Sequence, residues 1–334
     1  MLATVAVGTH RFRLMRQTDL CRIQEDSMKL TLFSVSYAGT WGNAQLGVEE
    51  FVDHAAELGY EAALLMGKRP HASPLDFSRD RRRSLCSRAA SAGIELTGIA
   101  AYTDFTAVVE DPAQPLLEQQ LQYVASCAEL AHDLGAPRVR IFTGFERPGV
   151  GYPAAWQACL DAVRECGERA AGLGVTIVVQ NHHDIANVEI ARFVDEVGLD
   201  NVHPGYDAWA PALQGHSGKE LESLATEHAS RVLQTIVADY ELRPRVAYDR
   251  VLNAYRELPQ AVTAVPPGEG SIDYESFLRG LVAGGFDGNL IYEMCSPLRG
   301  GGEMTNLDRY ARIFLQWASD LLPRIGVPAK ALVQ

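Results

Sequence analysis

Four segments of this 334-residue chain end an apolar run on a side chain able to hold a cation or move a proton. They are Val179-Gln180-Asn181-His182-His183-Asp184, Gly205-Tyr206-Asp207-Ala208-Trp209, Val237-Ala238-Asp239-Tyr240 and Tyr292-Glu293-Met294-Cys295. Oxygen-bearing side chains crowded at one place repel one another, and a divalent cation is the usual way to neutralise them. A set of this kind suits Mn2+, Mg2+ or Co2+, with Zn2+ an option if a histidine joins. Each residue also has a plainer reading. Asp207 sits where a carboxylate could cap the next helix. Asp239 could pair with Arg243 or Arg245. Glu293 follows an apolar run, where a charge is costly unless it is paired or used. His182 shares strand parity with Gln180, so His183 points the other way and reads as structural or as a loop contact.

These residues need a frame that brings them together. Glycines 59, 93, 135, 174 and 285 each close a helical, Ala-rich stretch just before an apolar β-type run. Glycine takes the left-handed conformation that ends a helix without a Cβ clash. The spacings of 34, 42, 39 and 111 residues fit a strand–helix repeat of roughly 37, the last gap holding three units. Eight β-type runs follow, at 30–36, 62–67, 96–102, 138–144, 176–182, 203–208, 233–239 and 289–295. Most are continuously apolar, as strands buried on both faces are. Amphipathic stretches separate them, among them 48–58, 116–134, 154–173, 185–197 and 274–283, and 303–322 reads as a closing helix. The expected fold is α/β, a single (β/α)8 barrel over residues 28–325, with a doubly wound open sheet as the alternative. His203-Pro204 interrupts the pattern at its weakest part, 203–260. In such a barrel the site lies at the C-terminal strand ends, where the four segments finish.

Composition narrows the partners. Lys and Arg number 30 against 42 Asp and Glu, a net charge of −12 that argues against nucleic acid. The basic stretch Arg79-Asp80-Arg81-Arg82-Arg83 reads as a solvated helix face. A hydrophobic share of 47% with 22% charged residues suits a globular core. No apolar run reaches the roughly 18 residues of a membrane span. Six cysteines without a CxxC pair suggest reduced thiols and a cytoplasmic protein. A homodimer is the default for a barrel of this size. Residues 1–27 carry Arg11, Arg13, Arg16 and Arg22 after a short apolar stretch, the reverse of a secretory signal. They read as an N-terminal extension, either a loose arm or a segment ahead of a natural start at Met28. Residues 326–334 read as a C-terminal tail.

At its strand ends the sequence resembles the xylose isomerase-like barrel superfamily, the sugar phosphate isomerases and epimerases. The likeness rests on Val179-Gln180-Asn181-His182, Gly205-Tyr206-Asp207, Gly268-Glu269-Gly270-Ser271-Ile272-Asp273, and Gly285-Phe286-Asp287-Gly288 running into Ile291-Tyr292-Glu293. It spans about residues 29–325. Similar epimerases hold a divalent metal with Glu on the fifth strand, Asp on the sixth, His on the seventh and Glu on the eighth, and the two glutamates exchange protons with the sugar. The resemblance carries Asp207 and Glu293 over directly. The fifth strand gives Gln180 in place of Glu, and Gln234 to Tyr240 give no histidine. Gln180 can bind a metal through its carbonyl oxygen but cannot act as a base.

The resemblance therefore implies a divalent metal held by Gln180, Asp207 and Glu293, to which the strand-end pattern adds Asp239 as a further candidate ligand. Glu293 would also serve as base, and His182 as ligand or proton shuttle. Arg299, in Pro297-Leu298-Arg299-Gly300-Gly301-Gly302, could grip a phosphate or carboxylate. Arg243 is a second candidate for substrate contact, and Trp41, Trp209 and Tyr240 could stack on a sugar ring. Three readings of function follow. The first is a metal-dependent isomerase or epimerase on a sugar, keto-sugar or sugar phosphate. The second is a lyase or dehydratase on an oxidised sugar or cyclitol, using the same enolate chemistry with one base. The third is a non-catalytic carbohydrate-binding barrel or a partner-dependent subunit. A DNA-repair endonuclease of the same superfamily is disfavoured by the negative charge.

Overall fold

The computed structural model describes residues 28–111, 113–182 and 184–327. The expectations for residues 1–27, for His183 and for most of the C-terminal tail lie outside them. Eight short parallel strands close a barrel: β1 (Leu30–Phe33), β2 (Ala62–Met66), β3 (Glu95–Ala100), β4 (Arg138–Ile141), β5 (Thr176–Gln180), β6 (Val202–Gly205), β7 (Gln234–Val237) and β10 (Asn289–Tyr292). Their order around the barrel is β1-β10-β7-β6-β5-β4-β3-β2. Helices α1 (Val48–Leu58), α2 (Arg79–Ala92), α4 (Leu116–Leu134), α5 (Tyr152–Ala171), α6 (Ile190–Val197), α8 (Gly218–His228), α9 (Tyr274–Ala283) and α10 (Met304–Arg324) follow the strands in turn, and short helices α3 (Ala107–Glu110) and α7 (Trp209–Leu213) lie in loops. The (β/α)8 barrel expected from the repeat is the fold observed.

The periodicity that predicts these helices is the one they use. In α1, Val48, Phe51, Val52, Ala55 and Leu58 are the buried positions, at the three- and four-residue spacing of one helix face. The helix ends on Gly59 at φ 97°, which accepts the left-handed turn. The core is aromatic where α10 meets the barrel: the ring of Tyr292, at the end of β10, stacks on that of Phe314 with centroids 4.6 Å apart. Each such side chain removed from water contributes about 1.5–3 kcal/mol. Among the described residues no helix is long and apolar enough to cross a membrane. Cys127, Cys159, Cys166 and Cys295 are free thiols.

One element is absent from the sequence reading. Between β7 and α9 the chain forms a long antiparallel hairpin of β8 (Asp239–Asp249) and β9 (Ala254–Val265), outside the barrel sheet. Its register slips between Arg243 and Arg245, around Pro244, which has no N–H to give to a ladder. The hairpin is anchored at its base, where Ala264 N–H donates to Pro297 O at 2.9 Å and Arg299 N–H to Ala264 O at 3.0 Å.

Candidate active site

The C-terminal strand ends enclose a pocket of about 280 Å3. Its polar lining comes from Gln180 (β5), His182, Asp207, Glu293 and Arg140 (β4), and its walls from Tyr102, Phe142, Trp209 and Tyr240. Trp41 and Phe145 stand at the rim, 44% and 38% exposed. Gln180, Asp207 and Glu293, far apart in sequence, thus face one cavity, together with His182, Trp209 and Tyr240.

Backbone geometry sets these groups in place. Asn181 clamps the loop after β6: its Oδ1 accepts from Asp207 N–H at 2.5 Å and its Nδ2 donates to Asp207 O at 3.1 Å. Gly205 leaves room for Gln180, because a Cβ there would collide with the Gln180 Oε1. That oxygen accepts from Gln234 Nε2 at 3.3 Å. Asp184 ties the loop after β5 to the end of β4. Its Oδ1 accepts from His182 N–H (3.2 Å) and Asn187 N–H (3.0 Å), and its Oδ2 from Thr143 Oγ1 at 2.5 Å. The His182 ring meets Phe142 edge-on, centroids 5.3 Å apart.

The electrostatics mark out two carboxylates. Burial pushes Asp207 up to about 8, the charge of Glu293 adds to the rise, and Arg140 opposes it. Burial also raises Glu293, against Arg140 and a hydrogen bond with Cys295. Glu293 stands at the end of a chain of contacts, since the Tyr240 hydroxyl meets the Cys295 sulfur. Among the described residues neither carboxylate has an ion pair with a lysine or arginine. Two such groups at one cavity either hold protons or share a cation. Among the described residues no three of His, Cys, Asp and Glu gather as a metal-binding group. With the amide oxygen of Gln180 the set becomes two carboxylates and a neutral oxygen. Such oxygen-only, unneutralised donors fit a hard divalent cation that keeps part of its water.

Three expected site residues lie elsewhere. Asp239 is outside the pocket and is not placed as a metal ligand. Its Oδ2 accepts from Gly268 N–H and Gly270 N–H, both at 2.9 Å, and its Oδ1 from Tyr240 N–H at 2.9 Å and Ile272 N–H at 3.3 Å. It shapes the turn Gly268–Ile272, and a Cβ at Gly270 would overlap its carboxylate. Nor does it pair with Arg243 or Arg245. Arg243 lies on the exposed hairpin and pairs with Glu241 at 3.3 Å. Arg299 pairs with Glu269 at the hairpin base, and Glu241 lies 3.9 Å away. Neither arginine lines the cavity, so neither is placed to grip a substrate there.

The sequence reading missed Arg140, which is 2% exposed and inside the barrel mouth. A signal was present: two arginines, Arg138 and Arg140, stand in a strand otherwise buried, where a charge needs a reason.

Known proteins place the chain. Residues 52–315 match the family described as xylose isomerase-like TIM barrel. Inosose dehydratase of Geobacillus thermodenitrificans (strain NG80-2) is 27% identical over 158 residues, 45% of this chain and 50% of the relative, so the chain spans about half the length of that curated relative. D-psicose 3-epimerase from Clostridium cellulolyticum H10, solved with D-tagatose, superposes with a TM-score of 0.68 at 16% identity, over 88% of this chain and 99% of that one. A xylose isomerase-like TIM barrel protein from Mycobacterium smegmatis, in complex with magnesium, gives 0.60 at 15% identity, over 88% and 98%. At such identities the structures speak for the fold alone, whereas the family match covers most of the chain, which belongs to the xylose isomerase-like TIM barrel family.

Proposed function

We propose that this protein is an enzyme that removes the proton beside a carbonyl in a sugar-like substrate, with Glu293 as the single base. The observation that carries the reading is the pairing of Glu293 and Asp207 at one cavity, both raised by burial and, among the described residues, neither in ion-pair contact with a lysine or arginine. A carboxylate with a raised pKa is a stronger base towards a carbon acid than one in water. A divalent cation, held by Gln180, Asp207 and Glu293, would polarise the substrate carbonyl and steady the enediolate. Tyr240 and Cys295 orient Glu293. Trp209 and Tyr240, with ring centroids 4.2 Å apart, form a wall for the substrate's apolar face.

The count of bases chooses among reactions. Two-base epimerisation needs a second proton carrier across the ring, and Gln180 stands where the family resemblance puts a glutamate. One base suffices for β-elimination of water, in which the carbon proton goes to Glu293, its electron pair forms the C=C bond, and hydroxide leaves with a proton from a neighbouring acid. His182, on the cavity lining, is assigned that acid role. Dehydration of an oxidised sugar or cyclitol is therefore the favoured reading, and the partial likeness to an inosose dehydratase supports it. Aldose–ketose isomerisation, also possible with one base, is the second reading, supported by the Tyr240–Cys295–Glu293 chain, which would hold one carboxylate in place to lift a proton and return it.

Incubation with a panel of keto-sugars and inososes in D2O tests both. Dehydration releases water and gives an enone absorbing in the ultraviolet; isomerisation gives deuterium at carbon without loss of mass as water. Glu293→Gln keeps shape and hydrogen bonds but removes the base, and turnover should fall at least a thousandfold, about 4 kcal/mol in barrier height, with an unchanged melting curve. Undiminished turnover in that variant removes Glu293 as the base.

A further inference from the structure

Arg140 is a buried cation without an anion. Its guanidinium carbon lies 4.2, 5.1 and 5.5 Å from the ring centroids of Phe142, Tyr102 and Phe33. Its Nη1 donates to Ala101 O at 3.3 Å, and its Nε is buried with no hydrogen-bond partner. Among the described residues no carboxylate comes within ion-pair distance of it, although Asp207 and Glu293 line the same cavity. Aromatic faces recover part of the cost of burying a guanidinium. They do not satisfy its N–H groups, and a buried donor left unmade is a fault that needs a reason.

The bond to Ala101 commits the Nη1 end. The opposite edge, Nε with Nη2, is the one that carries two parallel N–H groups at carboxylate spacing. We propose that this edge of Arg140 binds a carboxylate of the substrate, so that the pocket selects a sugar acid over the neutral sugar. The inference rests on the reading of this cavity as the active site and narrows its substrate class. A carboxylate fits better than a phosphate. Arg140 is the one lysine or arginine lining the cavity among the described residues, with Lys68 set on the Tyr102 ring beside it, and a doubly charged phosphate would meet both Asp207 and Glu293 across that space. Bound on the β4 side, a carboxylate would hold the sugar carbons towards Glu293.

The test is a binding measurement, which does not require turnover. Isothermal calorimetry compares D-glucuronate with D-glucose, D-galacturonate with D-galactose, and each with D-glucose 6-phosphate. The wild-type protein should bind at least one acid tenfold or more tightly than its neutral counterpart and than the phosphate. Arg140→Gln should erase that preference, and Arg140→Lys, which keeps the charge but loses the paired N–H edge, should retain only part of it. No preference in the wild type, no binding of either acid, a preference for the phosphate, or a preference that survives in Arg140→Gln would each overturn the proposal. The wild-type comparison decides the matter even if Arg140→Gln fails to fold. Glu293→Gln should keep the preference. A protein that selects the acid but exchanges no carbon-bound proton would sink the enzymatic reading and leave this one standing.

Discussion

Buried carboxylates in this molecule differ in what surrounds them. Asp239 accepts four backbone N–H groups and Asp184 accepts from three backbone N–H groups and a hydroxyl, whereas Asp207 accepts one N–H, from Trp209. A carboxylate ringed by backbone donors is spent on shaping a turn; one with open lone pairs facing a cavity is available to a ligand. Asp239 tests that contrast. Replacing it by Ala strands the N–H groups of Gly268, Gly270 and Ile272, and each buried donor left unmade costs about 1–3 kcal/mol. Asp239→Ala should lower stability by about 3–5 kcal/mol, read as a drop in the urea midpoint. Asp239→Asn, which keeps one acceptor oxygen, should fall between. A midpoint unchanged in both variants would mean that the turn holds itself. The corresponding change at Asp207 should weaken ligand binding more than it weakens the fold.

The hairpin β8–β9 forms its own two-stranded sheet outside the barrel. Val246, Tyr248, Val251, Leu252 and Tyr255 on it are all more than half exposed, so little of its apolar surface is removed from water by the barrel. Shortening it by deleting residues 244–260 and joining the stubs with a two-residue Asn-Gly turn should leave the melting temperature within a few degrees of the parent, with the base contacts Ala264–Pro297 and Arg299–Ala264 kept. A collapse of the cooperative transition on calorimetry would show that the hairpin supports the fold. This element was illegible in the sequence for a physical reason: Pro244 and Pro259 break a ladder pattern, and exposed strands carry no continuous apolar run. The barrel was legible because parallel strands are buried on both faces. Each of its eight strands begins within one residue of an expected run, and most runs overshoot the strand's C-terminal end. The overshoot falls where the chain leaves the ladder to build the pocket, so apolar character persists after regular pairing stops. Gln180, Asp207 and Glu293 could be found by that rule. Arg140 fell outside that rule, because it precedes the strand end, and two arginines alternating with Val139 resemble the solvent face of a strand until the barrel closes around them.

Across the whole molecule, the raised carboxylates couple stability to pH. Asp207 has a folded value of about 8 against an ordinary value of 3.8, and Glu293, Asp184 and Asp239 are displaced upward by burial as well. Between the unfolded and folded values the folded chain holds a proton that the unfolded chain has released, so a rise in pH favours unfolding, by about 1.4 kcal/mol per pH unit for one such group. Glu49 and Asp76 act with the opposite sign: arginine partners lower both, so their stabilisation is present above 4.5 and 3.8 and is lost only as the pH falls through still lower folded values. Burial lowers His71 and His228 from 6.5, so below that pH they favour folding as the pH rises, and from about pH 6.5 to pH 8 the raised group sets the slope. A chelator-treated sample should melt at a lower temperature at about pH 8.5 than at about pH 6.5. If Gln180, Asp207 and Glu293 share a cation, Mn2+ takes the place of the bound proton, and its affinity rises as the pH rises. Added Mn2+ should then raise the melting temperature more at the higher pH, and calorimetric titration in buffers of different ionisation enthalpy should register proton release. A melting temperature flat across this range would mean that Asp207 is not displaced as its burial demands. A falling melting temperature with no response to Mn2+ would mean that Gln180, Asp207 and Glu293 do not share a cation.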